Sequence, residues 1–293
     1  MTTPTLGRLI TAMITPFAPD GSVNLDEARR LAAYLVDTQK MDALVINGTT
    51  GEAPTTYHGE KSALLKAVVA EVGDRAKVIA GVGTNDTNHT IGLAKEAEDA
   101  GADGLLVVTP YYSRPPQDAI AAHFTAVADA TSTPIIIYDI PHRAGTEVAE
   151  STLISLTAHP RIIGVKDAKG NVASSARVMA ATGLDYYAGD DAMLLPLMAV
   201  GAVGVVGTST HFSGAGTRVV IDRWLAGDHD EALRVYRELL PVYTGVFATQ
   251  GVMLVKAGLA ARGFAPGGVR LPLLPASAEQ AQTFVAVLDA AGL

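Results

Sequence analysis

The chain has 293 residues, 48% of them hydrophobic and 18% charged, with a formal net charge of −8 at pH 7 and no cysteine. That composition supports a core big enough for one large domain or two ordinary ones, and it excludes disulfides, thiolate metal sites and a cysteine nucleophile. The negative charge argues against a general nucleic-acid surface, which needs clustered Lys and Arg to neutralise phosphates.

Apolar runs such as Gly104 to Val108 and Ala192 to Val203 are short or broken by Gly and Pro. None reaches the ~20 residues of a membrane-spanning helix. The opening stretch, Met1 to Arg8, has no basic segment followed by a long apolar one, so no secretory signal is expected and a cytoplasmic protein is.

In chain order, eight short apolar runs predict strands: Arg8 to Phe17, Ala43 to Asn47, Lys77 to Gly83, Gly104 to Thr109, Pro134 to Ile140, Ile162 to Lys166, Asp185 to Gly189 and Ala202 to Gly207. Helical periodicity fills the intervals, as at Leu25 to Thr38, Glu60 to Val72, Thr87 to Ala100, Pro116 to Ala130 and Val172 to Thr182. Gly73, Gly101, Gly183 and Gly201 stand where left-handed helix caps are needed. Near-continuous aliphatic strands belong to parallel sheets buried on both faces. Eight such units predict a closed (β/α)8 TIM barrel; an open doubly wound sheet is the rival, but no strand-to-helix joint carries GxGxxG. Beyond Thr208 the pattern is helical, at Gly216 to Ala226, Asp230 to Ala248, Gly251 to Arg262 and Ala278 to Ala291. The expected division is a barrel over 1–226 and a helical C-terminal extension over 227–293.

Barrel chemistry gathers at the C-terminal ends of strands. Lys166 ends the sixth run and Tyr138 stands near the end of the fifth. A lysine among aliphatic side chains has its charged form disfavoured, which leaves a nucleophilic amine; the alternative is a strand-end lysine whose ammonium reaches water. By alternation, Ile162, Gly164 and Lys166 share one face of their strand, and Ile136, Tyr138 and Ile140 share one face of theirs. Neighbouring strands lie ~4.8 Å apart, so Lys166 and Tyr138 can touch inside the barrel. Gly164 would leave room there for a substrate atom.

Several further groups fall at the same end. The segment Gly48-Thr49-Thr50-Gly51 can offer the N–H groups of Thr49 and Thr50 to a carboxylate, or form a plain threonine-capped turn. Tyr111 and Tyr112 are either packing residues or part of a site. Arg143 is either a surface cation or a carboxylate clamp. Asp190 and Asp191 are most simply caps of the following helix. The seven histidines show no metal-ligand spacing, so no metal is expected.

Gly-Thr-Thr-Gly-Glu at 48–52, Tyr-Tyr at 111–112, Tyr-Asp-Ile-Pro-x-Arg at 138–143, Gly-Val-Lys-Asp-Ala at 164–168 and Gly-Asp-Asp at 189–191 occur together and in order. The set resembles the dihydrodipicolinate synthase family of pyruvate-dependent class I aldolase-type enzymes over nearly the whole chain. The resemblance implies an imine between Lys166 and pyruvate, whose enamine attacks aspartate-4-semialdehyde to give 4-hydroxy-tetrahydrodipicolinate in lysine and diaminopimelate synthesis. The imine is itself the electron sink, so no cofactor is implied. Tyr138 would move protons, and Thr50 would link it to Tyr112 of a neighbouring subunit in a homotetramer. Thr49 and Thr50 would hold the pyruvate carboxylate, Arg143 the semialdehyde carboxylate, while Gly189 and the backbone of Val206 would border the site.

Two departures from the family pattern stand near the inferred mouth: Ala144, where Thr or Ser is common, and Gly207, where Ser is common. At the positions matching the family's lysine-inhibition site, Ala53, His58, Lys61, Asn85, His89 and Tyr111, an acidic residue is replaced by His89 and Lys61 adds a cation. Weak or absent lysine feedback is therefore expected. The alternative within the superfamily is another 2-keto-acid aldolase, such as N-acetylneuraminate lyase or a 2-keto-3-deoxy-sugar aldolase. A non-catalytic keto-acid sensor and a phosphate-handling isomerase are more distant readings.

Overall fold

A computed structural model describes residues 4–293, so the first three residues of the opening stretch lie outside the described part. The first half runs β1 (Leu9–Ala12), α1 (Leu25–Asp37), β2 (Ala43–Ile46), α2 (His58–Val72), β3 (Lys77–Gly81), α3 (Thr87–Asp99), β4 (Gly104–Val108) and α4 (Gln117–Asp129). The second runs β5 (Ile135–Asp139), α5 (Pro141–Ala144), α6 (Glu150–Leu156), β6 (Ile162–Asp167), α7 (Val172–Ala181), β7 (Asp185–Ala188), α8 (Leu194–Met198), β8 (Gly204–Gly207) and α9 (Thr210–Leu225). Each strand pairs in parallel with the next, and β8 closes on β1 through Leu9–Val205, Ile10–Val206 and Thr11–Gly207. Three helices follow: α10 (His229–Gly245), α11 (Gly251–Ala261) and α12 (Ala278–Ala290).

Strands buried on both faces create two apolar regions, and both are present. Ile10, Val45, Ile79, Leu106, Ile136 and Val206 fill the barrel interior. Leu44, Val78, Leu105, Ile135, Val165 and Val205 face the helices instead, and Phe212, Phe284 and Leu288 carry that outer core on into the C-terminal helices. Among the described residues no helix is long and apolar enough to cross a membrane.

Register matters most between β5 and β6. Ile135 pairs with Ile162 but Ile136 pairs with Gly164, so Ile163 is an extra residue in a bulge. From there the pairing runs Ile137–Val165, Tyr138–Lys166 and Asp139–Asp167. The bulge interrupts the alternation expected along the strand: Ile162 belongs to the outer core, not to the face of Lys166. Ile136, Tyr138 and Ile140 do share the interior face. Gly164 leaves no space for substrate, because a Cβ there would stand 2.6 Å from the carbonyl oxygen of Asp185. Its role is to let β7 approach.

Of the four expected glycine caps, Gly101 (φ +85°) and Gly201 (φ +116°) are left-handed. Gly73 sits in the right-handed region at φ −65°, and Gly183 does not take a positive φ. Helix α9 starts at Thr210, six residues before the expected Gly216. Its first turns hold Gly214, where a Cβ would lie 2.2 Å from Cε of Met41, so close packing explains a composition that disguises the helix.

Candidate active site

Lys166 ends up opposite Tyr138 at the mouth of the barrel, 4% exposed, with Nζ 4.2 Å from the phenol ring centroid. Among the described residues it forms no ion pair. Burial pulls its pKa down to about 8, opposed by the charge of Asp191 and assisted by that of Arg143. The Tyr138 phenol is pushed up to about 12 by burial, with the Arg143 charge and the Thr49 side chain opposing. At neutral pH the phenol is protonated, and a usable fraction of the amine is neutral. These are the states that an amine attacking a carbonyl beside a proton donor requires.

A cavity of about 660 Å³ opens over Lys166, bordered by Thr49, Thr50, Tyr138, Arg143, Gly189 and Thr208 among others. The turn after β2 is held by its own backbone: the Gly51 N–H donates to Gly48 O at 3.0 Å and the Glu52 N–H to Thr49 O at 3.1 Å. None of these bonds uses the N–H of Thr49 or Thr50, which is consistent with a carboxylate cradle. The expected link from Thr50 to Tyr138 is not formed. It is the Thr49 side chain that acts on the phenol, while Thr50 Oγ1 lies 3.3 Å from Thr208 Oγ1. Both threonines border the cavity, but successive residues in a tight turn point in different directions, and here their partners differ.

Arg143 enters from α5, where Pro141 starts the helix and Gly145 (φ +80°) ends it. This backbone closure holds the loop without the hydroxyl that Ala144 lacks: the Ala144 N–H donates to Ile140 O at 2.9 Å and the Gly145 N–H to Pro141 O at 2.8 Å. Arg143 Nη2 donates to Gln250 Oε1 at 3.0 Å. Gly189 borders the cavity. Val206 does not: it is fully buried in the barrel interior, in the same cluster as Tyr138. Tyr112 also stands outside the cavity, 90% exposed and at a left-handed φ of +73°.

Asp190 and Asp191 part ways. Asp190 caps the turn that follows it by accepting from the Ala192 N–H at 3.0 Å. Asp191 is instead buried, and its carboxylate accepts from the Thr208 N–H (3.0 Å), the Ser209 N–H (3.0 Å) and the Ser209 hydroxyl (2.6 Å). That contact accounts for Gly207, where a Cβ would fall 2.6 Å from Asp191 Oδ1. The same loop is fixed by His211. Its Nε2 accepts from the Ile14 N–H at 3.2 Å, so Nδ1 carries the proton and donates to Thr208 O at 2.8 Å.

Several of these residues escape sequence reasoning. Thr208 and Gln250 act through partners 158 and 107 positions away, and no local pattern marks them; Asp191 stands in the Gly-Asp-Asp segment, but its partner Thr208 lies 17 positions on. Glu52 is part of the Gly-Thr-Thr-Gly-Glu segment, but its partner Lys256 lies 204 positions on, with Nζ 2.7 Å from Glu52 Oε1.

A second cavity, of about 440 Å³, shares Thr49, Tyr138 and Arg143 with the first and holds Ala53, Lys61, Asn85, His89 and Tyr111. Among the described residues no Asp or Glu borders it. Lys61 donates to Ala53 O at 2.7 Å and Thr56 Oγ1 at 2.8 Å, and also to Thr56 O. His58 is absent from this cavity and pairs with Glu96 at 2.7 Å.

A sequence profile of the Dihydrodipicolinate synthetase family matches residues 5–291. The 4-hydroxy-tetrahydrodipicolinate synthase of Cutibacterium acnes is 59% identical over 289 residues, covering 99% of both chains. That of Acidothermus cellulolyticus is 57% identical, covering 98% of this chain and 92% of its own. The crystal structure of dihydrodipicolinate synthase from Cyanidioschyzon merolae with lysine bound superposes with a TM-score of 0.97 at 36% identity, over 99% of this chain and 100% of the other. Profile, identity over full length and barrel geometry agree: this chain belongs to the dihydrodipicolinate synthetase family.

Proposed function

We infer that the chain condenses pyruvate, held as an imine on Lys166, with L-aspartate-4-semialdehyde to give 4-hydroxy-tetrahydrodipicolinate in lysine and diaminopimelate synthesis. The observation that carries this is the Lys166 amine, buried at the cavity floor over Tyr138 with its pKa down at about 8. The amine adds to the keto carbon and water leaves, giving an imine; loss of a methyl proton gives the enamine, whose carbon attacks the aldehyde. The substrate's own amine then closes the ring and releases Lys166. The relatives named as 4-hydroxy-tetrahydrodipicolinate synthases favour this reaction over sialic-acid or deoxy-sugar aldol cleavage.

Position in the cavity supports the following residue roles. Tyr138, with Thr49 beside its phenol, moves protons at the imine carbon. The N–H groups of Thr49 and Thr50 hold the pyruvate carboxylate, Arg143 takes the semialdehyde carboxylate, and Gly189 gives the wall. Tyr112 is assigned to a neighbouring subunit's site in a homotetramer. The exposure of its ring on a left-handed backbone supports that assignment, since such a conformation needs a compensating contact. The division into a barrel over 1–226 and an extension over 227–293 is supported by the break between α9 and α10, and the cytoplasm is the assigned compartment. Lysine feedback is weak or absent, because the second cavity has Lys61 and no acid to receive an ammonium group; sub-millimolar inhibition by lysine would contradict this.

The test is borohydride reduction in the presence of pyruvate, followed by mass measurement. A pyruvyl adduct on the wild type that is missing from Lys166→Ala is expected. A coupled reductase assay should then show turnover with aspartate-4-semialdehyde and none with N-acetylmannosamine. The opposite preference would select the sialic-acid reading.

A further inference from the structure

Outside the barrel interior, a second set of charges begins at the residues that follow both reacting groups, and two of its members, Asp167 and Lys169, also border the cavity. Tyr138 points inward, so Asp139 points out, where it is completely buried. Its register neighbour is Asp167, the residue after Lys166. Two carboxylates side by side in a buried layer repel, and Lys169 answers this by reaching back from the loop after β6 to place Nζ 3.3 Å from Asp139 Oδ2. That oxygen makes no hydrogen bond among the described residues, so the ion pair is its only tie. Asp139 Oδ1 accepts from the Val148 N–H at 3.2 Å. Asp167 is satisfied differently, by the Lys169 N–H at 2.9 Å and by the Ser175 hydroxyl.

We infer that Asp139, paired with Lys169, is a positioning residue for the reaction assigned to Lys166, on which reading this inference rests. One carboxylate fastens two loops to the end of the Tyr138 strand. Through Val148 it holds the loop that carries Arg143. Through Lys169 it holds the loop that follows Lys166, and the Ala168 N–H adds a 2.9 Å bond to Asp139 O at the same place. Lys169 borders the active-site cavity, and its side chain is buried against Asp139. A slackened pair therefore moves the nucleophile and the clamp together.

The ionisation state of Asp139 decides whether the tie exists. The groups facing it are Lys169, Asp167 on β6 and the unpartnered Tyr186 hydroxyl on β7; Glu150 on α6 acts on Tyr186 and is itself bonded to Arg177 of α7 at 2.6 Å. Burial pushes Asp139 up to about 6, Lys169 and the Val148 N–H oppose, and Asp167 adds to the rise. As pH falls through that value the carboxylate takes a proton and the ion pair is lost.

The experiment measures kcat and KM for pyruvate across about pH 5 to 9, with melting temperature and borohydride-trapped adduct. It uses the wild type, Asp139→Asn, Lys169→Met and the double variant. The expected wild-type kcat has an acid limb centred near the Asp139 value of about 6. In Lys169→Met that limb moves up by about one pH unit or more, because the opposing positive charge is gone. Asp139→Asn removes the limb and lowers kcat about tenfold, with KM for pyruvate within about twofold. The double variant leaves no buried charge unmatched, so its melting temperature recovers towards the wild type while kcat does not. A double variant with wild-type kcat overturns the inference, as does an acid limb at the same pH in the wild type and Lys169→Met. Should Asp139→Asn fail to fold, the limb comparison between those two proteins decides alone. A wild type that traps no pyruvate defeats the reading of Lys166 itself; one that traps pyruvate, beside variants that behave like it, defeats only this inference.

Discussion

Two lysines of this chain are equally hidden, and only one is placed to react. Lys166 and Lys256 are each 4% exposed, and each ammonium lies 4.2 Å from an aromatic ring centroid, Tyr138 in one case and Phe17 in the other. Burial lowers the pKa of both. Lys256, however, donates to Glu52 Oε1 at 2.7 Å and to Gly268 O at 2.5 Å, so its charge is matched and its protons are committed. The acid nearest in effect to Lys166 is Asp191, whose carboxylate is already taken up by Thr208 and Ser209. Burial alone does not make a nucleophile. Burial without a committed acceptor, beside an open cavity, does.

Breaking the comparison starts with the reactive member. Lys166→Ala should lower kcat by roughly 10³-fold or more and abolish the trapped adduct, while melting at or above the wild-type temperature, since a buried cation has gone. Retained turnover would remove the basis for calling Lys166 the nucleophile. The other member should fail differently. Lys256→Met removes the ion pair of buried Glu52 and leaves it only the Arg270 N–H at 2.9 Å and the more distant Arg270 charge, so unfolding in denaturant should show a loss of up to about 3–5 kcal/mol while the folded fraction still traps pyruvate.

pH sharpens the contrast. The neutral fraction of Lys166 grows as pH rises towards its value of about 8. Adduct formation at sub-saturating pyruvate should climb about tenfold per pH unit below that point and level off above it. A rate that is flat over this range would mean that the amine is already neutral, or that another step limits. The smallest effect separates the two threonines. Thr49→Val should cost up to about tenfold in kcat, because it removes the hydroxyl beside the phenol, and Thr50→Val about two- to threefold. Equal losses would contradict the pairing of Thr50 with Thr208.

Much of the barrel was legible because strand and helix periods are local properties of the chain. All eight strands lie within the predicted runs or one residue beyond them, as β6 does at Asp167. The short helices α5, α6 and α8 carry too few residues for a period to show, and α9 hid its first turns behind glycines that packing required. At the site, Lys166, Tyr138, Thr49, Arg143 and Gly189 could be located from strand ends alone. The orientation of Thr50, the burial of Val206, the destination of Asp191 and the roof contact from Gln250 could not, because each is a direction or a partner fixed by a distant segment.

The division of labour is clearest between β5 and β6. Aliphatic composition and spacing by themselves determined that Tyr138 and Lys166 end adjacent parallel strands, since only covered strands are apolar on both faces. Whether they meet was decided by one bulged residue, Ile163, which advances β6 by a position; without it Tyr138 would face Val165 and the lysine would point into the helix layer. A bulge forms where closing the barrel strains the ladder. Closure is a condition on all eight strands at once, and no local stretch of sequence records it.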